Sequence, residues 1–452
     1  MTPQASFMVI APIDPERETA LRTLLAAMNH RPGVINSKNP LVPFGQLERL
    51  HFARFVILDD QTVDDIRVAY GVSPRGIRRP LAFLGDFDGP RDEFLADLVR
   101  RAGGGLREIF SHCEGFDPSA DLLRWMEEHE QRPAAMYVNW IGRTVKQIRE
   151  ESKLRDSLLD HILSNTAALA PKAPQAIFAE LKTFVAAEKE AGRVPLTPPE
   201  PTPLGWRVRN ALHAAVPFLL LLPVVILLVL KPLPVLTLVA LLAIAIVLLA
   251  ALFAVQLRCH ERGDAEMIPR HDPAHVHKLA DLEDYGCTNQ FSALGGVKPG
   301  IFRRLTVVVA LWGLDYATRH FFNHGFLTRV RTIHFARWVF LDGKQRLFFA
   351  SNYDGSLESY MDDFINKVGW GLNLVFSNGV CYPRTNWLIL DGAKREQEFK
   401  YFIRRHELAT EVWYNAHSGL TAFDLERNSR IRRGIEKSFM TDDEIREWLR
   451  LI

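Results

Sequence analysis

Eleven residues of this chain occur twice. Leu50-His51-Phe52-Ala53-Arg54-Phe55-Val56-Ile57-Leu58-Asp59-Asp60 returns as Ile333-His334-Phe335-Ala336-Arg337-Trp338-Val339-Phe340-Leu341-Asp342-Gly343. Downstream, Phe87-Asp88-Gly89 answers to Tyr353-Asp354-Gly355. At the same offset, Gly103, Gly105, Leu106, Phe110 and Ser111 answer to Gly369, Gly371, Leu372, Phe376 and Ser377. Two copies of one folding unit therefore flank a long apolar middle segment. This bounds the architecture more tightly than the chemistry.

The first copy reads as strand (Ser6 to Ala11), helix (Pro15 to Asn29), strand (Leu50 to Leu58), strand (Leu81 to Leu84), helix and strand (Leu106 to Ser111). Pro90 behind Asp88-Gly89 is a good helix start, and Gly103-Gly104-Gly105 is expected to end that helix. The second copy gives strands at Gln290 to Gly295, Thr332 to Leu341, Arg346 to Ser351 and Asn373 to Ser377. Its helices are expected at Gly300 to Phe322 and Leu357 to Val368. The order is βαββαβ, the ferredoxin-like unit. The expected class is α+β: two tandem ferredoxin-like modules paired as a pseudo-dimeric α/β barrel, plus a two-helix transmembrane hairpin. Both copies then add helices, Thr144 to Ile162 answering to Thr421 to Glu436. The first copy carries extra residues at Thr62 to Arg79, read as an exposed loop.

The division expected is a first module at 1–165, a helix and Pro-rich linker at 166–205, the hairpin at 206–258, a linker at 259–288 and a second module at 289–452. The two runs of the hairpin, about 211–230 and 234–256, each approach the ~20 residues that cross a hydrocarbon core. Lys231-Pro232-Leu233-Pro234 breaks the helix between them. Arg207 and Arg209 precede the first run, and Arg258, His260 and Arg262 follow the second. Basic flanks favour the cytoplasmic side. The expectation is a multi-pass protein of the cell inner membrane with both large domains cytoplasmic and the lipid bilayer as partner. Met1 to Glu18 lacks a basic n-region and an apolar h-region, so no cleavable secretory signal is expected.

With 55 Lys and Arg against 53 Asp and Glu, the charge balance gives no case for a nucleic-acid partner. Cys113, Cys259, Cys287 and Cys381 form no CxxC pair, which fits a reducing compartment. No Gly-rich phosphate loop, GxSxG elbow or HExxH is present, so hydrolase and nucleotide-dependent chemistry have no foothold.

Alternation on the repeated strand sorts its residues into two faces. His334, Ala336, Trp338 and Phe340 share one, and Ile333, Phe335, Arg337, Val339 and Leu341 the other. His51 groups with Ala53, Phe55 and Ile57, and Arg54 with Phe52, Val56 and Leu58. Which face turns inward is open at this point. An arginine amid apolar residues needs a partner. Each copy offers one, Asp88 for Arg54 and Asp354 for Arg337, and these four are the candidate catalytic residues. His334, Trp338, His51 and Phe55 are the candidate ligand-binding residues. His271, His275 and His277 have a spacing that suits a transition metal, although the segment reads as loop and no metal site is assigned.

Ile333-His334-Phe335-Ala336-Arg337-Trp338 and Ser351-Asn352-Tyr353-Asp354-Gly355 resemble signatures of an uncharacterised bacterial membrane-anchored family. Its domains are similar to the dimeric α/β-barrel superfamily, which includes haem-binding dye-decolourising peroxidases. Gly85-Asp86-Phe87-Asp88-Gly89 resembles the GxxDG pattern of those peroxidases, and Arg430-Ile431-Arg432-Arg433-Gly434-Ile435 resembles an arginine-rich stretch late in them. The resemblance implies haem as cofactor and Asp88 on its distal side. Ser351 stands where the second copy would need the first glycine, and no counterpart of the family's iron-ligating histidine is found. Three functional expectations follow. The first is an apolar or membrane-derived small molecule bound between the modules. The others are a haem-dependent peroxidase-like oxidoreductase and a non-catalytic membrane scaffold.

Overall fold

The computed structural model describes residues 1–72, 78–230, 235–268 and 270–452. The duplication is visible as two four-stranded antiparallel sheets. In the first half, β1 (Gln4–Pro12) and β2 (Leu50–Ile57) flank β3 (Pro80–Asp88), so that Phe7 and Ala53 both lie opposite Gly85. In the second half, β5 (Thr288–Gly296) and β6 (Ile333–Leu341) flank β7 (Arg346–Asp354). Phe291 and Ala336 there lie opposite Ser351.

The fourth strands correct the expected order. Leu106 to Ser111 is not a strand, because α3 (Arg91–Phe110) runs through the three glycines. Glycine weakens a helix by about 1 kcal/mol against alanine, but here it has a packing reason. A Cβ on Gly105 would come within 2.1 Å of the Leu41 carbonyl oxygen. Likewise Asn373 to Ser377 falls largely in the end of α11 (Leu357–Phe376), which kinks at Val368 rather than stopping there. The true fourth strands are β4 (Ala135–Val138) and β8 (Thr410–Asn415), and the halves exchange them. Strand β4 pairs with β6, placing Tyr137 opposite Ala336, and β8 pairs with β2, placing Tyr414 opposite Ala53.

Neither half is therefore a self-contained βαββαβ module, and a 1–165 boundary cuts through the second sheet. Nor do the sheets close into a barrel. Among the described residues their free edges carry only isolated bridges, Val9 to Glu130 and Ala293 to Glu407.

The sheets stack face to face. Met8, Val56, Leu58, Ala82 and Leu84 of the first meet Leu294, Val339, Leu341, Phe348 and Ala350 of the second in one buried layer. The arginine-bearing face of each repeated strand thus turns inward. Ala53 and Phe55 pack instead under α1 (Glu18–Ala26), α3 and α4 (Leu122–Glu128). Ala336 and Trp338 pack under α10 (Ile301–His320), α11 and α12 (Glu396–His406). The post-repeat helices α5 (Val145–Ser164) and α13 (Ala422–Glu436) pack against each other and share a further core with α6 (Pro174–Glu190) and α14 (Asp442–Leu449).

The stretch Thr62 to Arg79 is not simply a loop. It contains α2 (Val63–Tyr70), and residues 73–77 fall outside the described ones. Linker 259–288 contains α9 (Pro273–Ala280).

The apolar middle forms α7 (Leu204–Leu230) and α8 (Val235–Gly263). Among the described residues one helix, in its segment Ala240–Gly263, is long and apolar enough to span a membrane. At 1.5 Å per residue it measures about 36 Å. The expected pair of spans is corrected. Among the described residues α7, which carries Pro217 and Pro223 inside it, does not meet that test. A multi-pass arrangement is therefore not supported. The expected turn at Lys231 to Pro234 lies outside the described residues. Both helices contact α10: Tyr316 donates to the Ala214 carbonyl at 3.1 Å, and Phe253 packs on Phe302 at 5.5 Å between centroids.

Candidate functional site

The inward arginines do not pair as expected within each copy. Each reaches into the opposite sheet. Arg337 donates to the carbonyls of Phe7 (2.7 Å) and Gly85 (3.0 Å) and to the Asp86 carboxylate. Arg54 donates to the equivalent carbonyls of Phe291 (2.9 Å) and Ser351 (3.0 Å), to Ser292 Oγ (3.0 Å) and to Asn352 Oδ1. Asn352 stands where the first copy has Asp86, so two buried guanidiniums share one carboxylate. Burial pulls the Arg54 pKa from 12.5 down to about 9. Asp86 opposes that shift and Arg337 adds to it. These bonds lock the two sheets together, and the space between Arg54 and Arg337 is only about 10 Å³.

Asp88 and Asp354 serve the histidines instead. His51 Nε2 lies 2.8 Å from Asp88 Oδ1, and His334 Nε2 lies 2.6 Å from Asp354 Oδ1. The second oxygen of each aspartate accepts the first N–H of a post-repeat helix, Val145 of α5 (2.8 Å) and Ala422 of α13 (2.7 Å). A carboxylate at a helix start is stabilising. Both histidines sit where the strand register slips, between Leu50 and Phe52 and between Ile333 and Phe335. A bulge re-aims its extra residue, which is why these side chains leave the face that alternation assigned them.

The two bulges meet, with the His51 and Phe335 rings 5.1 Å apart and the Phe52 and His334 rings 5.6 Å apart. His417 joins them, its ring 5.7 Å from both histidines. Both of its nitrogens are buried without a partner, as is His51 Nδ1. Burial first, then the neighbouring His334 and His51, hold its pKa well below the ordinary 6.5. The three histidines, Arg143 and Asn139 border a space of about 20 Å³, enough for one water-sized group.

The larger cavity lies elsewhere. A groove of about 690 Å³ runs between α10 and α11 beside α8, walled by Phe302, Leu305, Val309, Phe364, Leu372 and Phe253. The kink at Val368 leaves it open, as do Gly313 and Gly371, where an added Cβ would meet nothing within 4 Å. Trp338 lies in its wall, only 5% exposed, and its indole N–H has no partner. Thr328 Oγ1, also in the wall, has none either. Each buried unpaired polar group costs about 1–3 kcal/mol, so these two mark where a guest with a hydrogen-bonding oxygen would be held. A smaller apolar space of about 60 Å³ shares the wall residues Phe364, Leu372, Val375 and Phe376.

Of the expected ligand residues, then, Trp338 lines the groove and His51 and His334 line the small histidine space. Phe55 is core, stacked on Phe83 at 4.2 Å. His271, His275 and His277 do not converge. His275 bonds Gln61 (3.1 Å) and the Glu407 carbonyl (2.9 Å), His271 packs on Tyr401, and His277 is in the last turn of α9. Among the described residues no group of three or more His, Cys, Asp or Glu is placed to hold a metal ion. Haem does not fit the Gly85-to-Gly89 stretch. Asp86 is tied to Arg337, Phe87 stacks on Phe94 at 4.1 Å, and Asp88 is spent on His51 and α5. His417 and the groove were missed in the sequence because His417 answers to Trp140 in the other copy and the groove is made by a helix kink. Comparison with family models, curated proteins and solved structures finds no match for this chain.

Proposed function

We propose that this is a membrane-associated protein that binds an apolar or membrane-derived small molecule in the groove between α10 and α11. The observation that carries the reading is a large, almost wholly apolar cavity beside the helix able to span a bilayer, with an unpartnered indole N–H in its wall. Apolar pockets with a few placed polar groups are the usual form of small-molecule sites. This reading keeps the ligand class expected from sequence and moves its location, since the space between the sheets is filled by side chains.

Exposed Ile301, Leu305, Val309 and Trp312 continue the apolar surface along the outer side of α10. Such a stripe beside α8 suits a bilayer. Each half completes the other's sheet, so both lie on one side of that bilayer, and α8 enters the membrane face without carrying the chain across it. The basic residues at the ends of α7 and α8 favour the cytoplasmic side.

The test fills the groove. Gly313→Leu and Gly371→Leu place side chains in open space on helices, where replacing glycine gains about 0.5–1 kcal/mol of helix stability. Lipids co-purifying in detergent are extracted and weighed by mass spectrometry. Wild type should retain a stoichiometric apolar species, and the filled variants should lose it while staying folded. Equal retention by the filled variants sinks the reading.

A further inference from the structure

A second cavity lies away from the groove and differs from it in chemistry. It holds about 400 Å³ between α5, α13 and the Pro-rich stretch 197–200. That stretch is fixed in place. The Thr197 N–H and hydroxyl donate to Glu150 (2.8 and 2.7 Å), and Arg432 donates to the Thr197 carbonyl (2.7 Å). The arginine-rich run seen in the sequence thus ends in a cavity wall, which Arg432 and Arg433 both line. Charges of both signs are buried in this wall. Arg143 is 4% exposed. Its Nη2 donates to Glu426 (2.7 Å), a carboxylate shared with Arg433 (2.9 Å), and its Nε has no partner among the described residues. The guanidinium rests on the Trp140 ring, 4.5 Å from its centroid. Glu151 is 1% exposed. Among the described residues it accepts only from neutral groups, the Ser429 hydroxyl (2.6 Å) and the Gln147 amide (2.7 Å). Glu150 is held by the neutral Thr197, and the Arg432 guanidinium stays 3.9 Å away.

A buried charge is costly unless it is fully paired. Burial lowers the Arg143 pKa and raises that of Glu151, and in each case the hydrogen bonds oppose the shift without cancelling it. The cavity therefore has one cation with a donor to spare and two carboxylates held by neutral partners. An anion alone would leave the carboxylates unmatched, and a cation alone would leave the arginine so. We infer that the cavity binds a small zwitterion, its carboxylate at Arg143 and its ammonium at Glu150 and Glu151, the chemistry of an amino acid or short peptide. The volume suits such a guest, since small-molecule sites span about 300–1,000 Å³. No lining residue is shared with the groove, so this site stands apart from the groove reading.

Isothermal titration calorimetry measures binding of each common L-amino acid, and of the dipeptide Ala-Ala, to the full chain in dodecyl maltoside. Wild type should bind at least one of them. The N-acetyl form of that probe lacks the ammonium and its C-terminal amide lacks the carboxylate, and each should bind roughly tenfold weaker or more. Glu151→Gln keeps the side-chain shape and removes the charge, and Arg143→Gln tests the opposite end. Each should weaken the zwitterion by a similar factor. Gly371→Leu, which fills the groove, should leave it unchanged. No binding of any probe by wild type, equal binding of the acetylated or amidated form, or full retention by Glu151→Gln overturns the proposal. Loss on Gly371→Leu would put the zwitterion in the groove and overturns it as well. The acetylated and amidated probes decide the matter on wild type even where a variant fails to fold.

Discussion

Arg337→Met tests the interlock between the halves. Arg337 is 3% exposed and spends its guanidinium on Asp86 and on the carbonyls of Phe7 and Gly85. Methionine keeps much of the side-chain volume but leaves Asp86 as a buried carboxylate whose remaining contact is the Asn352 amide at 3.4 Å. Breaking a buried ion pair by removing one partner costs about 3–5 kcal/mol, a factor of roughly 10² to 10³ or more in the folded-to-unfolded ratio. Removing the stranded charge as well should restore part of this. The double variant Arg337→Met/Asp86→Asn copies the neutral group that the second repeat already has at Asn352. Urea unfolding in detergent, followed by tryptophan fluorescence, compares wild type, the two singles and the double. The double should be more stable than Arg337→Met by about 2 kcal/mol, within the range of coupling seen for contacting residues. Additive losses, or a single-variant cost below about 1 kcal/mol, would show that the two groups are not paired in a dry sheet interface.

His417 gives a pH dependence. Its folded pKa lies below the unfolded value near 6.5, so the folded chain binds fewer protons between the two. The stability it contributes is fully present above about pH 6.5 and is lost as pH falls toward the folded pKa. His417→Phe should flatten the stability-against-pH curve below pH 6.5, and an unchanged slope there argues against a buried neutral imidazole. Sidedness can be read with epitope tags inserted after Gly192 and Gly419, both in turns with nothing within 4 Å of a side-chain position. Both tags should be protected in intact spheroplasts and reached by antibody in inverted vesicles, and opposite accessibility contradicts the exchange of strands.

The parts of this fold written in local pattern were legible. The strands around Leu50 to Leu58 and Thr332 to Leu341 are rich in aromatic and β-branched residues, and the starts of α5 and α13 are capped by Thr144 and Thr421. Beyond the bulges the split of each strand into two faces also held, although only packing shows that the arginine face turns inward. What failed was whatever depends on a distant partner. Leu106 to Ser111 has a strand-like composition, yet it continues a helix because Gly105 lets the Leu41 backbone lie against it. Strands β4 and β8 are short and half-buried and take their identity from an edge supplied by the other half. The arginine and aspartate residues were correctly singled out as needing partners, but their pairing crosses between copies in a way no linear spacing records. The bulges at His51 and His334 move those residues off the face that simple alternation gives them.

The exchange of fourth strands ties these features together physically. A duplicated chain whose copies closed on themselves would tolerate an apolar insertion of any topology between them, because each copy would fold on whichever side it reached. Here β4 is made before α7 and α8, and β8 after them, yet each finishes the sheet that the other half begins. The first sheet therefore keeps an open edge along β2 until the chain beyond the apolar helices has returned to it. Open edges invite wrong pairing, so completion of the fold depends on the apolar segment bringing both halves to one surface. That same return seats α10 against α7 and α8, which places the groove beside the helix suited to a bilayer. Duplication, apolar helices and groove are thus one geometric arrangement, and a change that undid the strand exchange would lose the groove along with the fold.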